Sequence, residues 1–147
     1  MKRKQKREAL LTDRVEIKVR FSEVDALKIV WHGEYVKYME DGRESFGQRY
    51  GLSYGDMREA GFAAPIVKLD IDYKLSLSFA EEAIVETRYM DCDAAKIQFD
   101  YTIYRKSDGA VVAEASTVQV FTHLSTNLLE LNNPDFYLKW KQKWIAR

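Results

Sequence analysis

Between Tyr35 and Tyr50 the apolar residues recur at helical spacing, and beyond Ala63 almost every segment alternates with a period of two. A chain built this way has one long amphipathic helix and a succession of strands that must cover it. Tyr35, Met39, Gly42, Phe46 and Arg49/Tyr50 form the apolar stripe. Lys37, Glu40, Asp41, Glu44 and Gln48 fall mostly elsewhere, on a solvated or subunit-facing side. Gly42 costs a helix about 1 kcal/mol relative to alanine. Its place on the stripe predicts that another backbone approaches closely there. Gly51 is a C-terminal stop.

The strands can be read in order. Asp13 to Phe21 sets Val15, Ile17, Val19 and Phe21 against Glu16, Lys18 and Arg20. Tyr54 to Ala60 predicts a short second helix ended by Gly61. Ile66 to Lys74 places Val67, Leu69, Ile71 and Tyr73 on one face. Ala83 to Cys92, Lys96 to Arg105 and Ala110 to His123 follow as strands, the last two joined by the turn Ser107-Asp108-Gly109. Asn133 as N-cap and Pro134 at the first helical position begin a terminal helix, with Phe136/Tyr137, Trp140 and Trp144 on one face. One long helix set apart from a mostly antiparallel sheet argues an α+β fold. One helix cannot cover both faces of such a sheet, so self-association is expected.

At 147 residues the chain reads as a single domain over 1–147, with a core at about 13–123, a basic tail at 1–12 and a C-terminal helix at 133–147. The tail's Lys2, Arg3, Lys4, Lys6 and Arg7 read as a solvated, poorly ordered segment. Charge balances at 23 basic against 23 acidic residues, which gives no case for nucleic acid or an anionic membrane as partner. No apolar run approaches the roughly 18 residues that span a bilayer. A single cysteine, Cys92, excludes an intrachain disulfide and a cysteine-based zinc site, and fits a cytoplasmic location. Cys92 itself reads as a core or strand residue, and His123 as structural or exposed.

One stretch carries candidate chemistry. Asp25 stands in a loop among Val24, Ala26, Leu27, Ile29 and Val30, where a carboxylate is costly unless paired, hydrogen-bonded or used. A turn or capping aspartate is the plain alternative. The helix begins at about His32 to Glu34, and its free N–H groups can stabilise charge developing on a carbonyl oxygen. A carboxylate nearby can attack that carbonyl or activate a water, so the pair suits acyl transfer. His32 is placed to orient substrate or to cap. Too few ligands cluster for a metal, and no G-x-S-x-G, G-x-G-x-x-G, P-loop or CxxC motif is present.

The stretch VRFSEVDALKIVWHGEYVKYMEDGRESF resembles the signature region of the hotdog-fold acyl-CoA thioesterases of the 4-hydroxybenzoyl-CoA thioesterase-like group. That pattern is a strand, then D-x-x-G-x-V-x-[HNY]-x-x-Y, then a helix. Asp25, Val30, His32 and Tyr35 fall on it, and the resemblance runs from about Val15 to Phe121. It implies a hotdog fold, a long central helix wrapped by a curved antiparallel sheet of about five strands, in a homodimer or homotetramer with active sites at the subunit interface. It implies hydrolysis of an acyl-CoA with no cofactor beyond the coenzyme A of the substrate. By the same resemblance Asp25 is nucleophile or general base, the His32 N–H polarises the carbonyl, and the His32 side chain and Tyr35 line the pocket. Leu27, Trp31 and Tyr35 suit a small aromatic or a short to medium aliphatic acyl group. Lys28 stands where the commoner pattern has glycine, which predicts a different loop conformation and adds a cation that can contact substrate. A hotdog dehydratase or hydratase, and a non-catalytic binder of acyl-CoA or acyl-carrier protein, are the alternative readings.

Overall fold

The computed structural model describes residues 11–145, so the basic tail at Lys2 to Arg7 lies outside the described residues. The apolar stripe becomes helix α1 (Glu34–Tyr50), which buries Tyr35, Tyr38, Met39, Gly42, Arg43, Phe46 and Gly47. It stops at Gly51, whose φ of 73° is the left-handed C-terminal cap. A short helix α2 (Tyr54–Glu59) follows, capped by Ser53, whose side chain accepts from the Asp56 N–H at 3.2 Å.

The strands are β1 (Leu11–Lys18), β2 (Phe62–Ala63), β3 (Ile66–Tyr73), β4 (Glu82–Met90), β5 (Lys96–Arg105), β6 (Val111–His123) and β7 (Leu129–Glu130), and helix α3 (Asp135–Trp144) closes the chain. The five long strands run β1-β4-β5-β6-β3, each antiparallel to its neighbour. β2 and β7 extend the far end of β6, pairing it at Phe62–His123 and Phe121–Glu130. The sheet packs on α1 through aromatic contacts: the Phe46 ring lies 5.0 Å from Phe99 and 6.4 Å from Tyr89. Tyr137 and Trp140 of α3 seal one end, where Trp140 Nε1 donates to the Tyr50 carbonyl at 2.7 Å.

Several expectations need correction. β1 ends at Lys18, and Phe21 opens a 3-10 turn with 76% of its surface exposed, so it leaves the inward face. Val67 is also turned out, because the β3–β6 register slips between Ile66 and Lys68 and leaves one residue unpaired. Pro134 itself is the N-cap of α3, so the helix begins at Asp135, one residue later than predicted. Cys92 lies beyond the end of β4, half-buried in a loop. A Cβ on Gly42 would come 2.5 Å from Thr87 Oγ1 and 2.8 Å from Val85 Cγ1, so the close neighbours there are β4 side chains. The close backbone belongs to Gly47, where a Cβ would lie 2.7 Å from the Ser53 Cα and 2.8 Å from the Leu52 carbonyl oxygen.

Candidate active site

Between β1 and α1 the chain folds back on itself. Val24 bridges Val30, and the Trp31 N–H donates to the Glu23 carbonyl at 2.9 Å. At the tip, Asp25 to Lys28 makes a tight turn closed by the Lys28 N–H on the Asp25 carbonyl at 2.9 Å. The Asp25 side chain stabilises the turn it sits in: Oδ1 accepts from the Leu27 N–H at 2.8 Å. The connection before β4 braces the loop from outside, through an Ile29–Ser78 bridge and the Val30 N–H on the Leu77 carbonyl at 2.8 Å.

Lys28 has φ 65°. This is the left-handed geometry, which lysine takes at a cost and glycine takes more cheaply.

The loop leads straight into α1, whose N-cap is Gly33 with no capping side chain. The Glu34 N–H donates to the Trp31 carbonyl at 2.9 Å and the Val36 N–H to the Gly33 carbonyl at 3.4 Å. Among the described residues, nothing accepts from the N–H groups of His32, Gly33 or Tyr35. The positive end of the helix dipole is thus presented with open donors. Glu34, buried in the first turn, complements that dipole and lies 3.4 Å from Lys37 Nζ.

Around the helix start the aromatic residues gather. The exposed His32 ring sits 4.9 Å from the Trp31 ring. Tyr73 donates its phenol to the His32 carbonyl at 2.7 Å and meets the Tyr35 ring edge-on at 5.1 Å. Tyr35 is only 2% exposed; burial raises its pKa, partly offset by a hydrogen bond from the Leu77 backbone. Tyr38 donates to Glu23 Oε1 at 3.0 Å, and burial followed by the charge of Glu23 raises its pKa strongly.

Trp31, His32 and Tyr35 thus share one region with the helix start, while Asp25 and Lys28 occupy the turn of the loop that feeds it. Among the described residues, the Asp25 and His32 side chains make no hydrogen bond to each other. No group of three or more His, Cys, Asp or Glu is gathered for a metal among them either. Leu27 on the loop, and Phe21 and Phe79 on the segments that flank it, are exposed apolar side chains, with the Phe21 and Phe79 rings in edge contact at 5.7 Å. Sequence reasoning missed Tyr73 as a support of the site, because in the sequence Tyr73 reads only as one face of a strand.

The family model for the thioesterase-like superfamily matches residues 19–141 of the chain. A Bacillus subtilis protein named "Putative acyl-CoA thioesterase YneP" is 38% identical over 89 residues, 60% of this chain and 64% of that protein. The chloroplastic acyl-acyl carrier protein thioesterase ATL3 of Arabidopsis thaliana is 28% identical over 107 residues, 73% of this chain and 56% of that one. The matches therefore span less than two thirds of the length of these two relatives. The crystal structure of a DHNA-CoA thioesterase from Staphylococcus aureus superposes with a TM-score of 0.80 at 24% identity, covering 90% of this chain and 89% of that chain. At that identity the likeness establishes the hotdog fold.

Proposed function

The chain belongs to the thioesterase-like superfamily, and from that premise we propose that it is an acyl-CoA thioesterase acting on a small aromatic or short to medium acyl group. The observation that carries the reading is the pairing, on one folded-back loop, of the Asp25 carboxylate with a helix start whose N–H groups lack acceptors. In this mechanism the thioester carbonyl lies over the start of α1, and the open N–H at His32 takes up the charge that develops on its oxygen. Asp25 either draws a proton from a water that attacks the carbonyl carbon, or attacks that carbon itself. In both cases the carbon–sulfur bond breaks and coenzyme A leaves as the thiolate. With water as the attacking group the free acid forms at once; with Asp25 as nucleophile an acyl–aspartyl anhydride forms, and a water then hydrolyses it to the free acid and restores the Asp25 carboxylate. His32, Trp31 and Tyr35 line the acyl side, and Lys28 is a substrate contact at the loop tip.

A second copy of the chain completes the site in this reading, as a homodimer or homotetramer. Support comes from the exposed apolar residues about the loop and from β3, which among the described residues pairs with β6 alone and so offers a sheet edge beside Tyr73. We place the reaction in the cytoplasm, a location that suits the unpaired Cys92. Among the described residues no helix is long and apolar enough to cross a membrane.

The reading is tested by a thiol-release screen of the wild-type chain over aromatic, short-chain and long-chain acyl-CoAs. Turnover is expected for aromatic or short to medium acyl groups. Tight binding of acyl-CoA without thiol release across the whole set would contradict it.

A further inference from the structure

Arg43 lies in the middle of α1 and is only 6% exposed. Its polar partners are two phenols: Nε donates to Tyr54 at 3.2 Å and Nη1 to Tyr101 at 3.2 Å. Among the described residues no acceptor meets Nη2, which is not fully buried and so keeps access to solvent; a guanidinium carries five N–H donors and stays charged at any ordinary pH. Across from it, Gln119 of β6 is 1% exposed. Its Nε2 donates to the Ala64 carbonyl at 2.8 Å, which fixes the orientation of the amide. Its Oε1 is consequently a buried acceptor with no partner. Buried polar atoms are rarely left in this state, because each loses its water without gaining a substitute.

Arg43 and Gln119 line the same small cavity, roofed by Tyr54 of α2 and walled by Leu52 and Phe99. Its free space is about 10 Å³, close to the roughly 10–15 Å³ that one water requires. The lining also selects for charge. Glu44 stands on the wall, held through Oε1 by Gln48 Nε2 at 2.9 Å, and its carboxylate opposes the entry of an anion. A donor on one side, an acceptor on the other and nearly balanced charge suit a neutral molecule that both accepts and donates.

We propose that this cavity is a binding site for one neutral hydroxyl-bearing molecule, water in the resting protein, which accepts from Arg43 Nη2 and donates to Gln119 Oε1. The bound molecule joins α1 to β6 beneath α2. It extends the buried chain that already runs from Arg43 through Tyr101 to Thr117 Oγ1, the last step spanning 2.7 Å.

High-resolution diffraction from the full chain, native and soaked in bromide, tests the assignment directly. A single water within hydrogen-bond distance of both Arg43 Nη2 and Gln119 Oε1, with no anomalous bromide signal, is the expected result. An empty cavity or a bromide ion in it would overturn the proposal. A second measurement is the double-mutant cycle of Arg43→Met and Gln119→Leu, read by denaturant unfolding. Each change alone is expected to lower the folding constant by about tenfold, and the pair by clearly less than the product, because one shared molecule links both groups. Losses that multiply would overturn the bridge. If Arg43→Met does not fold, diffraction from the wild-type chain and from Gln119→Leu decides, the water being expected in the first and absent from the second.

Discussion

The phenol of Tyr73, on strand β3, hydrogen-bonds the backbone carbonyl of His32 at 2.7 Å, one residue before the N-cap of α1. That strand thereby fixes the direction in which the chain enters the helix. The open N–H groups at the helix start owe their orientation to this contact as well as to Gly33.

Replacing Tyr73 by phenylalanine removes the donor and keeps the ring against Tyr35. A net loss of about 0.5–1.5 kcal/mol in stability is expected, a small change for a partly exposed bond. Turnover should fall more than this stability change accounts for, because the carbonyl-polarising groups lose their support. Denaturant unfolding and kcat on the best acyl-CoA check both parts.

Gly42 and Gly47 differ in what crowds them, and the two alanine variants should differ accordingly. At Gly42 the neighbours are the Thr87 and Val85 side chains, which can shift. At Gly47 they are the backbone of Leu52 and Ser53, which cannot shift without moving the turn. Gly42→Ala is expected to destabilise by about 1–3 kcal/mol despite its gain in helix propensity, and Gly47→Ala by more. Urea midpoints at equal m-value give the comparison.

Lys28 holds a left-handed backbone with a side chain attached. Lys28→Gly relieves a strain of about 1–2 kcal/mol and gives back about 0.5–1 kcal/mol through the freer unfolded chain. The thermal midpoint should therefore rise slightly. If the ammonium group contacts substrate, KM rises in the same variant while the fold is more stable, an opposition that general damage to the protein does not produce.

Tyrosine ionisation is expected to weaken the fold at alkaline pH. Burial raises the pKa of Tyr35, Tyr38, Tyr73, Tyr89, Tyr101 and Tyr137 above the ordinary 10.0. A pKa raised in the folded state means that the folded chain holds its proton more tightly than the unfolded chain. The associated stability is fully present below pH 10.0 and is lost as pH rises above it. Unfolding followed by circular dichroism should coincide with the rise of tyrosinate absorbance for these residues.

Much of this molecule could be read from the chain because its signals are local. The alternation of Ile97, Phe99, Tyr101 and Ile103 gave β5 with the ends observed, and Ser107-Asp108-Gly109 gave its hairpin to β6, with Gly109 at φ 69°. The failures are tertiary in origin. The bulge that turns out Val67 is imposed by pairing with β6, not by composition. The two-residue strands β2 and β7 are too short to show a period and exist only because β6 is long enough to template them. Gly42 was correctly placed at a crowded contact, but from sequence a side-chain neighbour and a backbone neighbour look alike. At the site, Asp25 and the helix start were legible as a carboxylate before a helix. Tyr73 was not, because its role depends on a strand far along the chain; the Tyr73–His32 separation is 41 residues.

The central claim is that Asp25 does chemistry and does not merely close its own turn. Asparagine keeps a side-chain oxygen for the Leu27 N–H, so Asp25→Asn should preserve the turn while removing the carboxylate. The decisive measurement is kcat for thiol release from the preferred acyl-CoA by wild type and by this variant, at matched fold and oligomeric state. A fall of about 100-fold or more, the usual scale for loss of a general base, is the predicted result. Wild-type turnover in the asparagine variant would contradict the claim and leave Asp25 a residue of the turn.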